Sequence, residues 1–296
     1  MTITNYLTID VEDYFHVSAF ENISPPDTWG ARECRVESNT DLILDILDEH
    51  NTKATFFILG WVAENYPHVT RSIADRGHEI ACHGYLHQRV ALMQRDEYRQ
   101  DIRRAKALLQ DQSGQAVNGY RAPSYSITRQ TCWAFDELID AGFTYDSSIF
   151  PMHHDFYGIP DWPRFAGYAV NKGEEWLAAD HPDPHERSIR EIPITTLNLA
   201  GKNLPIAGGG YFRLLPYHIT RWGLQRINHK EQQPFVFYLH PWEFDPKQPR
   251  MQGAKLKSRF RHYLNLDRTE ARFRALLRDF NFGPLDTGYR TAHTKR

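Results

Sequence analysis

Two histidines four residues apart, His83 and His87, stand in the segment GHEIACHGYLH at 77–87, directly after a short β-type run. That spacing lets two imidazoles converge on one metal ion, whether on a helical turn or in a tight loop. A second pair with the same spacing, His181 and His185 in HPDPH, lies in a Pro-rich acidic stretch with no strand leading into it, and reads as a surface loop. Spacing alone therefore does not select a site; position after a strand does. The same criterion picks TIDVEDYF at 8–15, where three carboxylates end a β-type run. Carboxylates at the end of a buried strand are costly unless paired or metal-bound. Strand alternation puts Asp10 and Glu12 on one face and Asp13 on the other.

Three further residues meet the criterion. Arg121, in NGYRAPSYS at 118–126, ends a β-type run and has Pro123 stiffening the turn behind it. Arginine at such a point can clamp a carboxylate with two hydrogen bonds or form a structural ion pair. Asp146, in YDSS, is placed to orient a histidine through a charge-assisted hydrogen bond, which would raise the pKa of the imidazole. His240 follows the apolar run FVFYL and precedes Pro241 and Trp242. His78 precedes its strand and is not placed like a ligand. Tyr125, Tyr211, Phe212 and Trp242 lie near the expected loop mouths, where aromatic faces can line a binding site or cap the core.

The elements that must position these residues alternate along 296 residues. ITNYLTID, KATFFILG, EIAC, VNGYR, FTYDSS, REIPITTL and FVFYL read as strands, and 39–49, 69–76, 96–112, 131–141, 217–228 and 268–281 as helices. Asn39 or Thr40 is available to cap the first helix. Strand–helix alternation of this kind argues for parallel βαβ units, in a barrel or an open sheet, with chemistry at the carboxyl ends of the strands. Residues 150–187, rich in Pro, His and Trp and without periodicity, read as a loop-rich insertion; AGGGYFRLLP at 207–216 reads as a Gly-rich loop; a C-terminal helical extension spans about 255–282. No linker or fixed-period repeat divides the chain, so one domain over 1–296 is expected.

Composition narrows the chemistry. The chain holds 15 His against 3 Cys, too few thiols for a disulfide framework or a Cys-rich zinc module. A net charge of −2 removes the case for a general nucleic-acid binder. Asp10, Glu12 and Asp13 come too early for a secretory signal with its run of ~7–15 apolar residues. No run approaches the ~18 apolar residues of a membrane span. A cytoplasmic protein is expected, with its oligomeric state open.

In order, the acidic strand end, H-x-x-x-H, R-x-P, D-S and the late strand closed by histidine resemble the NodB-homology polysaccharide deacetylases, carbohydrate esterase family 4. TIDVEDYFHVSAFE, GHEIACHGYLH, YRAPSYSI, AGGGYFRLLP and FYLHPWEFD are most similar to the exosortase-associated subgroup. The resemblance implies an α/β fold, a distorted (β/α) barrel of about seven parallel strands, and a metal-dependent N-deacetylase acting on an N-acetylated amino-sugar polymer or oligomer, such as an exopolysaccharide or its precursor. It implies a divalent metal held by one carboxylate plus His83 and His87; zinc is the usual ion, with cobalt, nickel or iron as alternatives. Asp10 would be the general base, Arg121 its holder, His240 the general acid and Asp146 the group that tunes it. Val11 stands where the common family pattern has a second adjacent Asp, so Glu12 is expected as the carboxylate ligand, with Asp13 in reserve. RAPSY replaces the frequent R-P-P-Y-G, leaving either Ser124 or Tyr125 to supply a backbone N–H to the oxyanion. Tyr125, Tyr211 and Trp242 would contact substrate. A related hydrolase of small amides or ureides, as in the allantoinase-like relatives, and a silent carbohydrate-binding protein are the competing readings.

Overall fold

The structure, a computed structural model, describes residues 3–154, 157–173 and 175–286. Its first half is a βα alternation: β1 (Thr4–Val11), α1 (Val36–Glu49), β2 (Thr55–Ile58), α2 (Gly60–Asn65), α3 (Pro67–Asp75), β3 (Glu79–Cys82), α4 (Arg95–Ser113), β4 (Gly119–Tyr120), α5 (Ala134–Asp140) and β5 (Tyr145–Asp146). There follow β6 (Gly167–Asn171), β7 (Trp176–Ala179), β8 (Ser188–Glu191), β9 (Thr196–Leu199), β10 (Lys202–Pro205), α6 (Gly209–Leu214), α7 (Tyr217–Arg226), β11 (Val236–Leu239), α8 (Leu256–Tyr263), α9 (Thr269–Asp279) and β12 (Asn281–Gly283).

The main sheet runs β11-β1-β2-β3-β4-β5-β8, and these seven neighbours are all parallel. It is the distorted (β/α) barrel the resemblance implied. β2 and β11 are buried along their whole length, as parallel strands covered on both faces must be. Among the described residues no ladder joins β8 to β11. The gap is bridged instead by the Val236 N–H, which donates to Thr195 Oγ1 at 2.8 Å, and by a single parallel bridge between Gly208 and Tyr238. Gly208 sits at φ +135°, and a Cβ there would fall 2.1 Å from the Tyr238 carbonyl oxygen, so only glycine lets the chain pass this close to β11.

Helix α4 shows how sequence sets the layers. Tyr98, Ile102, Ala105 and Leu109 form its buried stripe, while Gln94 and Glu97 make a capping box at its start. Gly114, left-handed at φ +66°, ends it.

Four expectations are corrected. Residues 150–187 contain the antiparallel pair β6–β7, which extends β8 at the sheet edge; strands of five and four residues are too short to show a period. The Gly-rich segment begins a helix, α6, rather than remaining a loop. The last helix stops at Asp279, and Asn281–Gly283 adds a short strand beside the start of β1. Helix α1 begins at Val36, so Asn39 and Thr40 lie inside it; its start is held by a side chain distant in sequence, as described below.

Candidate active site

Register places the site. Val11, Ile58, Cys82, Tyr120, Asp146 and Glu191 form one transverse row across β1, β2, β3, β4, β5 and β8. Glu12, His83 and Arg121 each come one residue later, at the carboxyl end. Ile9 pairs with Leu239, which puts Asp10 beside His240 on the neighbouring strand.

The H-x-x-x-H segment forms a loop rather than a helix. Gly84 at φ +74° and His87 at φ +51° curl the chain so that the two imidazoles meet with ring centroids 5.4 Å apart. The Tyr85 N–H donates to Asp101 Oδ2 at 2.8 Å and pins the loop to α4. His83 Nδ1 lies 2.8 Å from the Arg121 carbonyl oxygen. A carbonyl can only accept, so Nδ1 carries the proton and Nε2 keeps its lone pair.

Glu12, His83 and His87 are all buried, and one donor atom from each lies within 4.8 Å of the others. His87 Nε2 is 2.8 Å from Glu12 Oε2, yet that oxygen and His87 Nδ1 have no hydrogen-bond partner. Buried groups left this way are unfavourable. Two imidazoles and a carboxylate with uncommitted donor atoms match the ligand set of a divalent cation. Burial depresses the His83 pKa to about 4, so the imidazole is neutral, as a ligand must be. Burial alone would raise Glu12, but the facing His87 and His240 outweigh it and hold the carboxyl below the usual range.

Asp13 is in the other place that alternation gave it. Its Oδ2 accepts the N–H groups of Arg35 and Val36, and its Oδ1 that of Tyr14 at 2.8 Å. It anchors the start of α1, where no local side chain caps the helix.

Beside this group, Asp10 Oδ1 is 2.6 Å from Arg121 Nη1. The guanidinium, fully buried, also donates to Thr8 Oγ1 at 2.8 Å, the Ser147 carbonyl at 3.1 Å and Ser147 Oγ at 3.0 Å. The other carboxylate oxygen, Oδ2, accepts from the Tyr125 hydroxyl at 3.4 Å and lies 3.9 Å from His240 Nε2. His240 Nε2 is also 3.4 Å from Glu12 Oε1.

The partner of His240 differs from the expected one. Its Nδ1 lies 2.7 Å from Glu243 Oε1, and Glu243 Oε2 accepts from Arg213 Nε at 2.6 Å. Burial alone would lower the His240 pKa; Glu12, Glu243 and Asp10 reverse this and raise it to about 9. Asp146 is not that partner. It is capped by Ser148, whose N–H and Oγ both bond it, and lies against Glu191; burial pushes both carboxyls up. Register puts Asp146 in one row with Val11, Ile58, Cys82 and Tyr120, whose side chains pack on the outer face of the sheet, whereas Asp10 shares its row with Phe57 and Ala81 on the inner face.

The expected sugar-stacking residues divide. Trp242 is 5 % exposed and both of its faces are covered, by His240 at 5.3 Å and His262 at 4.2 Å, so it has no face for a sugar. Its Nε1 donates to Glu12 Oε1 at 3.3 Å, which makes it a support for the carboxylate. Tyr125 is packed edge-on against Phe150, Tyr157 and Tyr238 and reaches the site through its hydroxyl. Tyr211 is half-buried. His78 lies elsewhere, its Nδ1 accepting the Ala54 N–H, and His181 and His185 are exposed.

Residues 26–145 match the family model described as polysaccharide deacetylase, and residues 147–290 one described as a domain of unknown function, DUF3473. A peptidoglycan-N-acetylglucosamine deacetylase of Bacillus cereus is 40% identical over 99 residues, 33% of this chain and 36% of the relative. A peptidoglycan deacetylase of Helicobacter pylori is 29% identical over 139 residues, 47% of this chain and 43% of the relative. A chitooligosaccharide deacetylase of Sinorhizobium fredii is 35% identical over 100 residues, 33% of this chain and 44% of the relative. The chain thus spans less than half the length of these relatives. A crystal structure titled as a putative polysaccharide deacetylase from Mycobacterium smegmatis shares the fold, with a TM-score of 0.58 at 18% identity, covering 100% of this chain and 95% of that one. Residues 26–145 are thus similar to polysaccharide deacetylases. Asp10 and Glu12 precede the matched family range and His240 lies in the second, so the site draws on three stretches of chain.

Proposed function

We propose that this protein is a metal-dependent N-deacetylase acting on amino sugars of an exopolysaccharide or its precursor, within the exosortase-associated subgroup. The observation that carries the reading is the adjacency of three uncommitted metal-type donors, Glu12, His83 and His87, to an Arg-held carboxylate, Asp10, and a carboxylate-held imidazole, His240. Peptidoglycan and chitooligosaccharide deacetylases among the relatives support an N-acetylated polymer as substrate. The subgroup and the exopolysaccharide rest on the sequence motifs.

Glu12, His83 and His87 would hold the divalent ion, most simply zinc, which when bound supplies a Lewis acid and lowers the pKa of water. Asp10, oriented by Arg121, takes the proton of the attacking water as the acetamide carbonyl becomes tetrahedral. The Tyr125 N–H is committed to the Ala122 carbonyl at 3.0 Å, which leaves the Ser124 N–H for the oxyanion. Ser124 and Tyr125 both hold φ +55°, an uncommon pair for side chains of this kind, and a strained turn at this point aims backbone rather than side chain at the reacting carbonyl. His240, held as imidazolium by Glu12 and its partner Glu243, gives a proton to the departing sugar nitrogen. Acetate release from acetylated amino-sugar oligomers, with and without chelator, tests the reading. Wild type should be active and chelator-sensitive, with Asp10→Asn and His240→Ala reduced about 10²–10⁴-fold. Full activity in either variant would overturn the assigned roles.

A further inference from the structure

About half of the Arg side chains among the described residues are in ion pairs with acidic side chains, among them Arg76, Arg95, Arg99, Arg187 and Arg274. One stretch gathers unpaired cations where the sequence has no acid. From Pro246 to Leu266 there is no Asp or Glu, and Lys247, Arg250, Lys255, Lys257, Arg259 and Arg261 are all exposed, none paired with an acid among the described residues. All this charge lies on a molecule whose net charge is −2.

Helix α8 within this stretch is inverted relative to an ordinary surface helix. Its buried residue is polar: His262 stacks on Trp242 and donates from Nε2 to Gln248 Oε1 at 2.7 Å. Its apolar residues face out, Leu256 82 % and Phe260 63 % exposed, one turn apart on the same side and flanked by Lys257 and Arg259. The segment is firmly attached. Gln248 Nε2 donates to the Trp242 and Asp245 carbonyls, and the Met251 N–H donates to the Tyr263 hydroxyl at 2.7 Å.

We propose that the outer face of α8 and the basic loop before it dock the protein on an anionic lipid bilayer. Charge complementarity selects an anionic surface, and the paired outward Leu256 and Phe260 select one with an apolar interior over a soluble polyanion. His262 ties the helix to the ring stack behind His240, so docking holds the catalytic end of the sheet at the bilayer. The inference does not depend on the deacetylase reading.

The test is co-sedimentation of the whole protein with vesicles of phosphatidylcholine mixed with phosphatidylglycerol, against vesicles of phosphatidylcholine alone. Binding should require the anionic lipid and weaken as salt rises from ~0.05 to ~0.5 M. Each basic side chain near such a surface is worth about fivefold in binding, so Lys257→Gln with Arg259→Gln should weaken it about 25-fold. Leu256→Ser with Phe260→Ser should weaken it at least ~tenfold. All four positions are exposed, and unchanged thermal melting confirms that the variants fold. Absence of binding to the mixed vesicles overturns the proposal, as does binding unaffected by both double variants. Capture by dextran sulfate beads that the same variants abolish, with vesicles ignored, overturns it in favour of a soluble polyanion. A concentration-dependent dimer lost in the Leu256 and Phe260 variant, again without vesicle binding, overturns it in favour of a second copy of the chain.

Discussion

Glu243 holds His240 at two points: its Oε1 lies 2.7 Å from the imidazole Nδ1 and accepts the His240 backbone N–H at 3.1 Å. One carboxylate oxygen thus fixes both ring and backbone, while the other is held by the buried Arg213, whose Nη1 also donates to the carbonyls of His262 and Leu264 at 2.8 and 2.9 Å. The ring is fixed with Nε2 toward Asp10 and Glu12, the orientation an acid needs to meet a leaving group.

Replacing Glu243 by Gln keeps the size and removes the charge that favours imidazolium. We expect kcat to fall about 10–100-fold with KM little changed, a smaller loss than for His240→Ala because the ring itself remains. Steady-state kinetics on an acetylated oligomer would show this. A rise in KM at constant kcat would mean that Glu243 serves substrate binding instead.

Arg121 supports a second carboxylate by a different geometry. Its guanidinium reaches Asp10, Thr8 and Ser147 at once, which the single ammonium of lysine cannot reproduce. Arg121→Ala takes from the buried Asp10 carboxyl its ion-pair partner and should destabilise the fold by ~3–5 kcal/mol. Urea denaturation would measure it. Arg121→Lys should recover part of the stability and little of the activity.

The strand pattern alone located much of this site. Asp10, Glu12, His83, Arg121 and His240 were all placed by a single criterion, arrival at the end of an apolar β-type run, because parallel strands in register bring their carboxyl ends to one level. Asp146 met the same criterion but shares the outward-facing row of Val11, Ile58, Cys82 and Tyr120, and it is the next residue, Ser147, that reaches Arg121; which face of so short a strand turns inward is set by long-range register that local sequence does not encode. Glu243 was missed although a signal existed: H-P-W-E carries Pro at the first position of a turn and Glu at the third, a capping-box spacing, and the structure shows that turn at Pro241–Phe244. Trp242 was misread because its exposure depends on His262, twenty residues on in sequence. The cap of α1 was equally hidden, since Asp13 lies far from the helix it starts.

The metal group invites a direct measurement. Wild-type protein loaded with zinc and dialysed should retain the ion by elemental analysis, and His83→Ala or Glu12→Gln should lose it. Trp242→Phe keeps the ring between His240 and His262 but removes the N–H that donates to Glu12 Oε1. Losing such a supporting hydrogen bond typically costs 10–100-fold in affinity, so competition with a chelator should place Trp242→Phe about tenfold below wild type. Equal affinity would show that the indole serves only as packing.

Glu79 gives a pH dependence remote from the metal group. Its carboxylate accepts hydrogen bonds from Thr55 and from the Tyr145 hydroxyl, the latter at 2.7 Å, at the amino end of β3. Burial outweighs these bonds and raises its pKa from 4.5 to about 7. Below the unfolded value both states are protonated. Between the two values the unfolded chain has released its proton while the folded chain keeps it, so stability falls as pH rises. Above the folded value both are ionised and this contribution no longer changes. The loss should therefore occur between pH 4.5 and about 7. Glu79→Gln removes the titration, and its unfolding free energy, followed by urea melts across that range, should decline less steeply than wild type. Parallel profiles for the two proteins would show that Glu79 is ionised in the fold at its ordinary pKa.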